Sequence, residues 1–223
     1  MLSFLHEAIR NIRTTGSVMP SSPALASAMT RAIRTHVGPK RVLEVGPGTG
    51  PFTVAVLPSL RTGDVFDIVE LNQTFCAHLE EKHLQPFRAA HPSIPVRLHE
   101  SAIEDSALDH GYDFIVCGLP FNNFPLPLTE SIFRQMLDLL RTGGVLTFFE
   151  YLGARELKRP FVGREHRLAI DGLESFHRQT ARSHPFRREI IMVNIPPACA
   201  FHITKSGGDS RTEAGCSAST TTT

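Results

Sequence analysis

The segment VLEVGPGTG, residues 42–50, constrains this chain more than any other stretch. A short apolar run, Val42 to Val45, passes straight into a loop with glycine at positions 46, 48 and 50. Glycines spaced this way exclude side chains from a place where a ligand must lie close. In an open α/β sheet that place is the C-terminal end of the first strand, where nucleotide-like ligands bind.

The rest of the chain has the punctuation of such a fold. Short apolar runs at Val42–Val45, Val65–Val69, Val96–Leu98, Phe114–Cys117 and Val145–Phe149 alternate with helical patterns, which predicts a mostly parallel sheet with doubly wound, Rossmann-like α/β organisation. Before the fifth run, Ile132, Phe133, Met136, Leu137 and Leu140 mark one helix face, and Gly143-Gly144 are expected to end that helix. Upstream, Leu2, Leu5, Ile9 and Ile12 fall at helical spacing until Gly16 and Pro20. A second helix is expected to start at Ser22 as N-cap with Pro23 in its first turn, carry Leu25, Met29, Ala32 and Ile33, and stop at Gly38-Pro39. Two further strands, near Glu189–Asn194 and Cys199–Thr204, suggest a terminal antiparallel pair. The predicted organisation is N-terminal helices over residues 1–38, an α/β domain over 39–205 and a small, polar, disordered tail over 206–223.

Several function classes lose support on composition. No apolar run approaches the roughly 18 to 20 residues of a membrane-spanning helix. The N-terminus carries Glu7 and Arg10 where a secretory signal needs an uninterrupted apolar stretch, so an intracellular protein is expected. Cys76, Cys117, Cys199 and Cys216 are far apart and the histidines are scattered, so neither a metal site nor a disulfide framework is expected. Charge is segregated: residues 1–41 hold six Lys/Arg against one acid, residues 42–150 carry a net charge of minus eight, and residues 151–191 carry plus four. Basic ends around an acidic centre suit an anionic partner, either a lipid surface or nucleic acid.

The spacing of the glycine loop narrows the ligand. A dinucleotide-binding loop reads G-x-G-x-x-G, but counting from Gly46 its third glycine falls on Pro51. The observed order, Glu44, Gly46, Pro47, Gly48, Gly50, resembles the first motif of class I S-adenosylmethionine-dependent methyltransferases, and an acidic strand end suits a cofactor with a sulfonium and an amino-acid moiety. Glu70, with Leu71 beside it, ends the second strand twenty positions after Gly50, where an acid accepts hydrogen bonds from ribose hydroxyls. The resemblance implies an adenine edge after strand three. Ser101-Ala102 stand there in place of the family's frequent Asp, and Gly118 completes the set after strand four.

The substrate signal is GLPFNNFP, residues 118–125. Methyltransferases of adenine amines commonly place Asn or Asp where this chain has Gly118, which argues against an adenine pocket, although Asn122 or Asn123 can substitute. Together with GSVMPSSPALA (16–26) and FFEYLGARELKRPF (148–161), this segment resembles the bacterial soluble phospholipid N-methyltransferase family over residues 1 to about 205. The resemblance implies stepwise methylation of phosphatidylethanolamine towards phosphatidylcholine, at the cytoplasmic face of the membrane, by a peripherally associated enzyme. The expected partners are an anionic membrane surface and the phospholipid, with no nucleic acid and no metal.

An attacking amine must first lose its proton; Tyr151 and Glu150 are the candidate acceptors, with Asn122 as a polar catalytic partner. Phe121 and Phe124 are placed to surround a cationic headgroup with Tyr151, although core packing competes for both. Arg155, Lys158 and Arg159 are candidates for a lipid phosphate, and the amphipathic segment with Arg10 and Arg13 for a bilayer interface. Two alternatives stay open: an adenine N-methyltransferase of ribosomal RNA, and a noncatalytic module that binds cofactor or lipid.

Overall fold

The structure is a computed structural model that describes residues 21–121, 124–152, 178, 180 and 182–207. Among these residues seven strands form one sheet in the order β3-β2-β1-β4-β5-β7-β6. They are β1 (Arg41–Val45), β2 (Val65–Glu70), β3 (Val96–Glu100), β4 (Tyr112–Cys117), β5 (Leu140–Tyr151), β6 (Phe186–Ile191) and β7 (Ala198–Thr204). The first five run parallel, while β7 is antiparallel to both β5 and β6. The predicted parallel sheet with a terminal antiparallel pair is what the chain adopts.

The central strands are buried on both faces, which is why β1 and β4 read as nearly unbroken apolar runs. Helices cover each side. On one, α1 (Pro23–Met29), α2 (Arg31–Thr35), α3 (Pro51–Val56) and α4 (Gln73–Leu79) supply Leu25, Met29, Ile33, Phe52, Val56 and Leu79 to a shared core. A π-helical turn, Glu80–Leu84, joins α4 to α5 (Gln85–Ala90). On the other side α6 (Leu126–Leu139) brings Ile132, Phe133, Met136 and Leu139 against Tyr112, Phe148 and Ile203. Leu25, Met29 and Ile33, from the described residues ahead of β1, therefore share the core of the sheet.

Local signals set the first helix. The Ser22 hydroxyl accepts from the Leu25 backbone N–H at 3.2 Å, and Pro23 occupies the first turn. The expected single helix breaks at Thr30, whose buried hydroxyl donates to the Ala26 carbonyl at 2.8 Å and whose backbone leaves the helical region. At the base of the sheet the Lys40 ammonium and Asp64 carboxylate form a buried ion pair that ties β1 to the turn before β2.

Two boundaries differ from the sequence reading. Helix α6 ends at Leu139, and Leu140 is already extended and paired with Tyr112, so Gly143-Gly144 lie inside β5. The register jumps there from Tyr112↔Leu140 to Phe114↔Val145, and a Cβ at Gly144 would sit 2.9 Å from the carbonyl oxygens of Arg141 and Tyr112. The glycines thus accommodate an irregularity in the strand rather than a helix stop. The sixth strand spans Phe186–Ile191 and not Glu189–Asn194, because the chain turns after Ile191 and buries Asn194. The N-terminal amphipathic segment, and the tail beyond residue 207, lie outside the described residues.

Candidate active site

Strand order reverses at β1, whose neighbours are β2 and β4, so the loops leaving β1 and β4 diverge and open a crevice at their C-terminal ends. Register brings the two loops level: Val45 pairs with Cys117 and with Val69. The Gly46 N–H donates to the Val69 carbonyl at 2.9 Å and the Gly118 N–H to the Val45 carbonyl at 2.8 Å.

The glycines have different physical duties. Gly46, Gly48 and Gly50 all have positive φ, at 67°, 59° and 87°. A Cβ at Gly46 would lie 2.3 Å from the Leu119 side chain, and one at Gly50 2.8 Å from Leu79, so both permit internal packing. A Cβ at Gly48 would meet nothing within 4 Å, which leaves the loop open at its crest. Gly118 is required by its neighbour: a Cβ there would approach the Gly46 carbonyl oxygen to 2.4 Å. In this chain position 118 is therefore closed to any side chain, including the polar one that the resemblance to adenine methyltransferases would place there.

Two acidic side chains support the loop, Glu70 at its crest and Glu44 beneath it. Glu70 ends β2; its Oε2 accepts from the Gly48 N–H at 3.0 Å and its Oε1 from the Asn72 N–H at 2.8 Å. Asn72 in turn caps α4, its Oδ1 accepting from Thr74 and Phe75. One acid thus clamps the glycine loop to the next helix. Glu44 is fully buried in β1, where Oε2 accepts from the Thr53 hydroxyl at 2.7 Å and Oε1 has no hydrogen-bond partner among the described residues. Burial pushes its carboxyl up to about 8, so it holds a proton at neutral pH.

The loop that leaves β3 contributes Ser101 and Ala102. The Ser101 N–H donates to the Glu70 carbonyl at 3.1 Å, its hydroxyl lies 2.6 Å from that of Ser106, and Ala102 is buried. Leu71, beside Glu70, packs partly against the α6-side core. Glu44, the glycine loop, Glu70, Leu71, Ser101, Ala102 and Gly118 therefore converge on one rim. Thr53 and Asn72 join them without having been singled out in the sequence; Asn72, ahead of the helical run QTFCAHL, carries a legible N-cap signal.

The acceptor side is less uniform. Phe121 is 1% exposed, with its ring 4.6 Å from Phe133 and 6.2 Å from Phe148 by centroid, and Phe124 is buried beside it. Both rings hold the loop after β4 on the core; they do not line an open cage. Tyr151 ends β5 with its ring 5.3 Å from Phe149, and burial, opposed by a hydrogen bond with Ser21, raises its phenol above the ordinary value. A phenol held neutral in this way does not serve as a phenolate base. Glu150 is buried on the opposite face of β5, the face it shares with Phe148. Asn122, Asn123, Arg155, Lys158 and Arg159 lie outside the described residues. Among the described residues no group of three or more His, Cys, Asp or Glu is arranged to hold a metal ion, and no helix is long and apolar enough to cross a membrane.

The rim fits S-adenosylmethionine. The unpartnered Glu44 Oε1 beneath the loop, the open crest at Gly48 and the Glu70 carboxylate at the end of β2 are the features that an amino-acid moiety and a ribose require. Fold and site together define an S-adenosylmethionine-dependent methyltransferase of class I. A methyltransferase-domain family model matches residues 21–186, and the chain belongs to that family. It is 26% identical over 141 residues to an ornithine lipid N-methyltransferase from Singulisphaera acidiphila, a match covering 63% of this chain and 72% of that one. Among solved structures, the O-methyltransferase TomG of tomaymycin synthesis from Streptomyces achromogenes, in complex with S-adenosylmethionine, superposes with a TM-score of 0.62 at 14% identity, covering 91% of this chain and 89% of that one. An O-methyltransferase from Bacillus cereus with S-adenosylhomocysteine bound gives a TM-score of 0.59 at 15% identity and covers 91% of each chain.

Proposed function

We propose that this enzyme N-methylates the amine of a phospholipid headgroup, phosphatidylethanolamine, at an anionic membrane surface. The observation that carries N-methylation of a lipid amine is the 26% identity to an ornithine lipid N-methyltransferase over 63% of the chain; the choice of phosphatidylethanolamine rests on the resemblance of residues 118–125 and 148–161 to the phospholipid N-methyltransferase family. The loop GLPFNNFP supports it, because Gly118 leaves no room for the polar side chain of an adenine site. A cleft of about 540 Å³ between α1 and α3 adjoins Thr49 and Gly50 and has Pro23, Ala26, Val54 and Ala55 among its lining, walls suited to an acyl chain more than to a nucleotide.

S-adenosylmethionine supplies an electrophilic methyl group on a cationic sulfonium. The residues that hold it are Glu44, the Gly46–Gly50 loop, Glu70 and the backbone of Ser101 and Ala102. Transfer to nitrogen needs an available lone pair and an in-line approach, so this chain acts chiefly by positioning. With Tyr151 held as a neutral phenol, the ammonium proton is assigned to Glu150, which is buried on the other face of β5 and takes it through water. Tyr151 then orients the headgroup.

The same similarity favours a second reading, in which the accepting amine belongs to ornithine lipid. Labelled S-adenosylmethionine offered in parallel to vesicles of phosphatidylethanolamine, vesicles of ornithine lipid and unmodified ribosomal RNA separates these readings. Label in phosphatidylethanolamine is the expected result. Label confined to ornithine lipid selects the second reading, and label confined to RNA overturns both.

A further inference from the structure

The turn between β6 and β7 has its polarity inverted. Met192, Val193 and Ile195 are 69%, 74% and 74% exposed, and Ile190 just before them is 56% exposed, while Asn194, the one polar side chain of the turn, is 1% exposed. The segment IIMVNIPP, residues 190–197, contains no charge. Apolar side chains at a turn ordinarily fold inward. Here Asn194 prevents it: its Oδ1 accepts from the Ser22 N–H at 2.9 Å and its Nδ2 donates to the Pro196 carbonyl at 2.6 Å, pinning the turn to the start of α1 with its apolar side chains outward.

The turn also stands at the functional end of the sheet. Ile191 and Tyr151 both pair with Ala198, and the Leu152 N–H donates to the Pro197 carbonyl at 2.7 Å, so the turn projects from the same end as Gly46 and Gly118. Strand β7 lies two strands from β4, about 10 Å at ordinary interstrand spacing. Leu152, itself 38% exposed, extends the apolar surface towards β5.

We propose that this turn is a membrane-insertion finger that seats the crevice on an anionic bilayer; the inference rests on the lipid reading above and names the element that makes contact. A bilayer fits the surface better than a second copy of the chain. The four side chains expose on the order of 500 Å², within the roughly 300 to 600 Å² of a monomer's largest and often functional patch, and well under the roughly 800 Å² that each partner of a stable dimer contributes. On β6, Glu189 stands between the finger and two arginines: Arg187, whose side chain is 63% exposed, lies 3.6 Å from the Glu189 carboxylate, while Arg188 is exposed and suits a lipid phosphate beside an inserted apolar tip.

The chain contains no tryptophan, so one introduced indole reports its own surroundings. Val193→Trp in the full chain is expected to shift its emission to the blue on adding vesicles of phosphatidylethanolamine and phosphatidylglycerol. Val37→Trp, at an 88% exposed site near the opposite end of β1, is expected not to shift. The triple variant Met192→Ser, Val193→Ser, Ile195→Ser, checked for an unchanged circular dichroism spectrum, is expected to lose about tenfold or more in vesicle partitioning, equivalent to about 1.4 kcal/mol. Unshifted Val193→Trp emission, undiminished partitioning of the triple variant, or a shift that follows protein concentration without vesicles overturns the proposal, the last in favour of self-association. Neither readout depends on methyl transfer. A shift without methylation of any lipid removes the substrate reading alone, and lipid methylation without a shift removes the finger alone.

Discussion

Glu44→Gln tests the electrostatic logic of the cofactor rim. In the folded chain Glu44 keeps its proton up to about 8, against an ordinary value of 4.5. Between those values the unfolded chain is ionised here and the folded chain is not, so folding takes up a proton. The stability associated with this group is complete below 4.5 and declines as pH rises through about 8, by up to about 1.4 kcal/mol for each pH unit. Across the window the upper bound is about 5 kcal/mol. Glutamine does not titrate and retains an oxygen to accept from the Thr53 hydroxyl. In urea unfolding of the cofactor-free protein, the advantage of Glu44→Gln over the parent is therefore expected to grow by about 2 kcal/mol or more between about pH 5 and about pH 8. With cofactor the sign of the effect on affinity reverses. An ammonium near Glu44 favours the charged carboxylate, so at neutral pH the parent is expected to release a proton on binding, seen as a dependence of calorimetric enthalpy on the buffer's ionisation enthalpy. The variant is expected to bind more weakly and release none. A pH-independent stability difference together with buffer-independent enthalpies would refute the reasoning, because Glu44 would then be ionised throughout.

Gly118→Ala places a methyl group 2.4 Å from the Gly46 carbonyl oxygen, so a thermal unfolding midpoint lowered by an overpacking cost of about 1 to 3 kcal/mol and a weakened affinity for S-adenosylmethionine are expected; an unchanged midpoint contradicts the steric account. Glu70→Ala strips the Gly48 and Asn72 N–H groups of a charged acceptor worth about 1.5 to 3 kcal/mol per bond, and calorimetry is expected to show cofactor affinity reduced by at least about tenfold. Unchanged affinity would remove the ribose assignment.

Much of the cofactor half was legible in the chain. Each glycine of residues 46–50 needs a positive φ, and each acidic strand end follows an apolar run, so both signals lie within a few neighbouring residues. The Ser22-Pro23 helix start is local in the same sense. The substrate half was harder to read. Phe121 and Phe124 beside two asparagines have the composition of an open aromatic pocket, and only the contacts of Phe121 with Phe133 and Phe148, on α6 and β5, and of Phe124 with Phe121 make them core. Gly143-Gly144 give one local signal for a helix stop and for a strand irregularity; the carbonyl of Tyr112 on the neighbouring strand distinguishes them.

The residues 190–197 show where the division falls. Their apolar character and lack of charge are written in the chain, and that character alone predicts burial. Whether such side chains face inward or outward depends on a hydrogen bond between Asn194 and Ser22, which are 172 positions apart. By itself the sequence determined the alternation of the five parallel strands with helices, the Ser22-Pro23 helix start and the glycine loop, whose resemblance to the methyltransferase motif pointed to the cofactor. The tertiary structure alone decided that Gly118 closes against Gly46, that Glu70 clamps the loop, and that the last turn wears its apolar side chains outside. The reason is physical: backbone preference and apolar periodicity act over a few residues, whereas these contacts exist only once strands distant in the chain have paired.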